Sequence, residues 1–85
     1  MAVVLLPGLL AAQAGGRNRF EVSTGTVEEA LRTLPISDLL FDERGELRPL
    51  VNVYLDGEDV RGRGGLGAAL EGSETVRVVA AIAGG

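Results

Sequence analysis

The stretch Thr26 to Leu34, "TVEEALRTL", restricts the fold more than any other part of the chain. Val27, Ala30, Leu31 and Leu34 fall at i, i+3, i+4 and i+7, which lays one apolar stripe along a helix. Thr26 is suited to cap that helix, and Glu29 three positions later completes a capping box. Glu28, Glu29 and Arg32 lie off the stripe and face solvent. Pro35 disfavours helical geometry in Leu34 and ends the element there. A stripe of this kind needs an apolar surface to cover it, and the remaining sequence is mostly strand and turn.

Ala2 to Leu6 is an aliphatic run stopped by Pro7-Gly8, expected to be a central strand covered on both faces. Leu9 to Ala14 forms a short helical or irregular connection. A turn at Gly15-Gly16-Arg17-Asn18 leads to Arg19–Ser23, which alternates around Phe20 and Val22 as a half-buried strand does. Ile36 to Phe41 supplies apolar anchors in an irregular or single-turn segment, and Asp42 to Leu47 turns through Gly45. Leu50 to Leu55 alternates, with Val51, Val53 and Leu55 on one side and Asn52 and Tyr54 on the other. Asp56-Gly57 signals a type I′ hairpin, which needs positive φ at both central residues. Val60 is expected to begin the short return strand. Leu66 to Leu70 allows one helical turn, Gly72-Ser73 turns the chain, and Thr75 to Ile82 is β-prone, with Val76 and Val78 inward and Arg77 outward. No internal repeat or separate linker divides the chain, so residues 1–85 read as one domain.

Composition narrows the chemistry. Cysteine and histidine are absent, and all eight cationic side chains are arginine. Disulfides, thiolate metal sites, thiol catalysis, Schiff bases and isopeptide bonds to the chain's own lysines are therefore excluded. Ser23, Ser37 and Ser73 have no histidine or lysine to act as base. The net charge of −4 argues against unspecific nucleic-acid binding and suits a basic protein partner. No apolar run reaches the ~20 residues of a membrane span. "MAVVLLPGLLAAQA" imitates a secretion signal, but no basic residue precedes its apolar run and Pro7-Gly8 interrupts it. The expectation is a cytoplasmic protein without catalytic machinery of its own.

Two decoys follow from simple patterns. "GRGGLG", Gly62 to Gly67, matches a dinucleotide-binding spacing, but that motif must open a full helix with an acidic residue ~20 positions on. Only Leu66 to Leu70 follows as helix here, so a loop with positive-φ glycines is the better reading. Glu28 and Glu29 point about 100° apart on their helix, and Glu58 and Asp59 flank a hairpin turn. Neither pair converges on a metal ion.

The closing "AAIAGG", Ala80 to Gly85, remains. Composition alone allows a frayed terminus of no consequence. Glycines directly after a last strand also make a slender handle, because without Cβ the backbone can enter a narrow cleft.

The order of elements and this tail resemble ubiquitin-like sulfur carrier proteins: the molybdopterin-synthase small subunit, the thiamine-pathway carrier and the cysteine-pathway carrier. The similarity begins with the strand ending at Pro7 and includes "TGTVEEALRTL" at Thr24–Leu34. Its most specific stretch is "FDERGELRPLVNVYLDGEDVR", Phe41–Arg61. Gly65-Leu66 and the closing Ala81-Ile82-Ala83-Gly84-Gly85 make it most like the cysteine-pathway type. Two positions depart from the family. Gly72-Ser73 followed by Glu74 stands where Asp-Gly is usual before the last strand, and Ala80 stands where a proline is common.

The resemblance implies an α+β β-grasp fold: a mixed sheet packed on one main helix, its first and last strands parallel neighbours, with a Gly-Gly tail. It implies that a ubiquitin-activating-type adenylyltransferase uses ATP on the Gly85 carboxylate, that a sulfur donor displaces AMP to leave a thiocarboxylate, and that a biosynthetic enzyme accepts the sulfur. Gly84 then provides clearance, and Val79 and Ile82 are candidate partner contacts on the exposed sheet face, with a place in the core as the alternative for either. The chain itself holds no cofactor or metal in this reading. A modifier joined to lysines of other proteins and a plain interaction module are the competing readings.

Overall fold

A computed structural model of the chain describes residues 1–80. Its elements are strand β1 (Ala2–Leu5), helix α1 (Gly8–Gln13), β2 (Arg19–Val22), α2 (Val27–Arg32), α3 (Ser37–Leu40), β3 (Val51–Leu55), β4 (Glu58–Asp59) and β5 (Thr75–Ala80). Two 3₁₀ turns, Val60–Arg63 and Gly65–Gly67, connect β4 to β5. The five strands form one sheet in the order β2-β1-β5-β3-β4. β1 and β5 run parallel, with Val3, Val4 and Leu5 opposite Thr75, Val76 and Arg77, while the other pairs are antiparallel. This is the β-grasp arrangement, with the first and last strands side by side.

Period-two alternation sends Ala2, Val4, Phe20, Val22, Val51, Val53, Leu55, Val76 and Val78 into the core. Helix α2 meets them with Val27, Ala30 and Leu31, each fully buried. Leu34, Ile36, Leu40 and Phe41 close the layer. The core is aliphatic apart from Phe20 and Phe41, and each ring carries a guanidinium on its face: Arg17 at 4.4 Å from Phe20 and Arg32 at 4.1 Å from Phe41. Arg32 also donates to the Gly45 carbonyl at 2.7 Å, fastening the Asp42–Leu47 turn to α2.

Several local expectations are met with different geometry. Thr26 accepts from the Glu29 N–H at 3.2 Å, as an N-cap should, but Glu29 accepts from the Thr26 hydroxyl instead of reaching its backbone. Helix α2 ends at Arg32, earlier than the proline alone requires. The Thr33 hydroxyl there donates to the Ala30 carbonyl at 2.7 Å and caps the last turn. β1 is central in the sheet yet covered on one face only; Val3 and Leu5 are half-buried on the other. The return strand is Glu58–Asp59, and Val60 belongs to the following 3₁₀ turn. Asp59 accepts from the Arg61 N–H at 2.9 Å and caps that turn, which buries Val60. Ala69 then bridges back to Thr26, where a single helical turn over Leu66–Leu70 was expected.

Two polar devices fix the start of β5. At Asp56 and Gly57 φ is 50° and 86°, the type I′ conformation. The Asp56 carboxylate accepts from the Thr75 N–H at 2.9 Å, and the Asp56 N–H donates to the Thr75 carbonyl at 2.9 Å. On the other side the Glu74 carboxylate accepts from the N–H groups of Glu71, Gly72 and Ser73 at 2.8, 2.9 and 3.1 Å. One side chain thus builds the turn, with Gly72 at φ 125°.

Backbone donors, foremost those of Glu71 and Gly72, hold the Glu74 carboxyl at about 2, against an ordinary 4.5. The folded turn therefore favours the ionised form. Its contribution to stability is whole above pH 4.5 and is lost as pH falls toward about 2. Thermal unfolding across that window should show Glu74→Gln losing less stability on acidification than the wild type, so the gap between their Tm values narrows in acid. At Gly57 a Cβ meets no atom, so Gly57→Ala should cost about 1–2 kcal/mol in urea unfolding, entirely from the left-handed backbone.

Candidate functional site

The geometry that matters is how β5 leaves the sheet. β1 pairs with β5 only as far as Leu5 opposite Arg77. β3 continues beside it, through Val53 opposite Val78 and Asn52 opposite Val79, to Val51 opposite Ala80. The last three residues of β5 thus extend past the end of β1 with β3 as their described partner. Val76 and Val78, at 0% and 2% exposure, anchor this strand from below, so its direction is set by the core.

Alternation along β5 turns Thr75, Arg77 and Val79 to the opposite, open face. Val79 is 38% exposed there, beside Asn52 in register. The same face carries half-buried Val3, Leu5 and Tyr54 and exposed Arg19 and Glu21. Of the sequence-derived site residues, Val79 is therefore a surface residue next to the root of the tail, where the sequence left core and surface open. Gly84, Gly85 and Ile82 lie outside the described residues.

The carboxylates considered in the sequence have structural partners. Glu28 accepts from Arg32 at 3.0 Å, one helical turn away. Asp59 accepts from the Arg61 guanidinium at 2.7 Å and 3.0 Å. That hydrogen bonding, with the Arg61 N–H second, holds its carboxyl at about 2. Glu58 faces Arg63 at 3.6 Å. Among the described residues no three carboxylates gather as a metal site requires. The glycine-rich Gly62–Gly67 segment folds as 3₁₀ turns with Gly64 and Gly65 at φ 99° and 80°, so those two glycines serve the turn.

Sequence reasoning missed a group of leucines at the same end of the sheet. Leu9, Leu39 and Leu50 are 59%, 40% and 55% exposed, although Leu39 lies among expected core anchors and Leu50 was assigned to a strand. The parity of Leu50 with outward Asn52 and Tyr54 was the available signal. Nothing in the sequence brings Leu9 and Leu39 to it.

No family model matches the chain. It is 34% identical to the sulfur carrier protein CysO of Mycobacterium bovis, over 96% of each chain. Its fold superposes on the crystal structure of Mycobacterium tuberculosis CysO with a TM-score of 0.82 at 29% identity, covering 96% of this chain and 100% of that one. Against the Amycolatopsis orientalis BexX/CysO complex the TM-score is again 0.82 at 29% identity, with both chains fully covered. Fold and sequence likeness agree over nearly the whole length: the chain belongs to the CysO family of ubiquitin-like sulfur carrier proteins.

Proposed function

We propose that this protein carries sulfur on Gly85 as a C-terminal thiocarboxylate. The observation that carries the reading is end-to-end likeness to CysO carriers in a chain whose central strand β5 is followed in sequence by Ala-Ile-Ala-Gly-Gly. A free α-carboxylate, with pKa near ~3.5, is anionic at neutral pH and a poor electrophile. Activation is the task of a ubiquitin-activating-type adenylyltransferase. The Gly85 carboxylate attacks the α-phosphorus of ATP, pyrophosphate leaves, and an acyl-adenylate results. Hydrosulfide then attacks the acyl carbon and AMP leaves with the former carboxylate oxygen, giving the thiocarboxylate and a proton. No redox change is needed when the donor is at the sulfide level.

The protein's own contribution is presentation, which substitutes proximity and orientation for free diffusion of sulfide. Gly84 gives the tail clearance in the partner's cleft. Val79, on the open face, and Ile82 are proposed as contacts to the partner. The sulfur passes to a biosynthetic enzyme, with cysteine biosynthesis favoured by the likeness to CysO.

Incubation with ATP, the adenylating enzyme and sulfide, followed by intact-mass and fragment analysis, should show one oxygen replaced by sulfur at Gly85. Heavier adducts on other proteins would establish a modifier instead, and an unchanged mass a plain interaction module. Removal of Gly85 should abolish loading while leaving the thermal unfolding curve in place. Val79→Glu should lower loading about tenfold, the loss of one good interface contact, without unfolding the chain.

A further inference from the structure

Three of the exposed large hydrophobic residues, Leu9, Leu39 and Leu50, belong to one open groove of about 620 Å³. They come from α1, α3 and the segment leading into β3. Leu10 lies in the wall, Ala80 closes the groove at the root of the tail, and Arg48 lines it as its sole charged residue among those described. Isolated surface leucines need no explanation, but a concave cluster of them marks a contact surface. The groove is on the core side of β5, whereas Val79 is on the open face.

The length of chain beyond Ala80 identifies the occupant. Gly85 lies five residues beyond Ala80, a span of at most about 17 Å at full extension. A cleft that seats the Gly85 carboxylate must therefore bring its mouth within that distance of Ala80, which lines this groove. Charge adds chemistry. The Arg48 guanidinium donates to the Asp38 carbonyl at 3.2 Å, and among the described residues no carboxylate lies within ion-pair distance of it.

We propose that this groove docks the adenylating enzyme that acts on Gly85, receiving an apolar side chain of that enzyme flanked by a carboxylate that meets Arg48. The proposal rests on the functional reading above and adds a second, core-side surface to the open face. Apolar contact supplies the affinity, and the Arg48 pair sets orientation and association rate.

The test uses the full chain with exposed-residue variants Leu9→Glu and Leu50→Glu, and Arg48→Glu for the charge. Unfolding curves should match the wild type for the leucine variants. In the sulfur-loading assay their KM should rise about tenfold or more with kcat unchanged, the signature of lost docking. Arg48→Glu should raise KM and flatten its dependence on salt. Unchanged KM in both leucine variants overturns the proposal. Docking is also read without turnover, by titrating isotope-labelled chain with the purified adenylating enzyme. Broadening of the Leu9, Leu39 and Leu50 amides supports the groove even where sulfur loading fails, a failure that would count against the functional reading alone. Perturbation restricted to Val3, Leu5 and Val79 overturns it. Movement of the groove amides in free Ile82→Ser chain would assign the groove to the chain's own tail, and movement with concentration to a second copy. Either outcome displaces the enzyme as occupant.

Discussion

The burial of Val76 and Val78 beneath β5 is the constraint on which the rest depends. These side chains are 0% and 2% exposed, and their strand is hydrogen-bonded to β1 on one side and β3 on the other. Because side chains alternate along a strand, sinking those two residues forces Arg77 and Val79 outward. It also fixes the direction in which β5 reaches Ala80. A register slip of one residue would turn Val79 into the core and Val78 to solvent. The same two valines therefore stabilise the fold and set the direction of β5 as far as Ala80.

The start of β5 is held by polar groups instead. Asp56 receives the Thr75 N–H, and Glu74 collects three consecutive backbone donors. The family's usual Asp-Gly is missing at Gly72-Ser73, and the structure shows how its place is filled. A longer carboxylate one residue later accepts from the turn while Gly72 takes the positive φ. Together with Asp56, those bonds fix where β5 begins in the sheet.

On the proposed reading, a carrier of an activated carboxyl gains from having few nucleophiles of its own. This chain has no cysteine, histidine or lysine, and all its cationic side chains are arginine. Several of them are used structurally, as Arg32 is on Phe41 and Gly45 and Arg61 is on Asp59. Ala80 lies between two surfaces, the mixed open face around Val79 and the leucine groove on the core side. On the proposed reading, an enzyme acting on Gly85 meets contact surface in two directions.

Local patterns were enough to find the elements. The Thr26 cap, the i, i+3, i+4, i+7 stripe, the Asp56-Gly57 turn and the alternation of Val51, Val53 and Leu55 are decided by neighbours within a few residues. A linear reading finds them for that reason, and the resemblance to sulfur carriers rests on the same stretches. Where a strand ends, or which face of β1 stays open, depends on partners far away in sequence, and there the expectations for β1 and Val60 missed. The side of Val79 was settled only when Val51–Leu55 paired with Thr75–Ala80. The groove needed more still, since Leu9, Leu39 and Leu50 meet only after α1, α3 and β3 have packed around the end of β5. By itself the sequence determined most of the elements, much of the core and the family; tertiary packing alone decided which surfaces meet at Ala80, because non-local contacts bring residues about forty positions apart onto one wall.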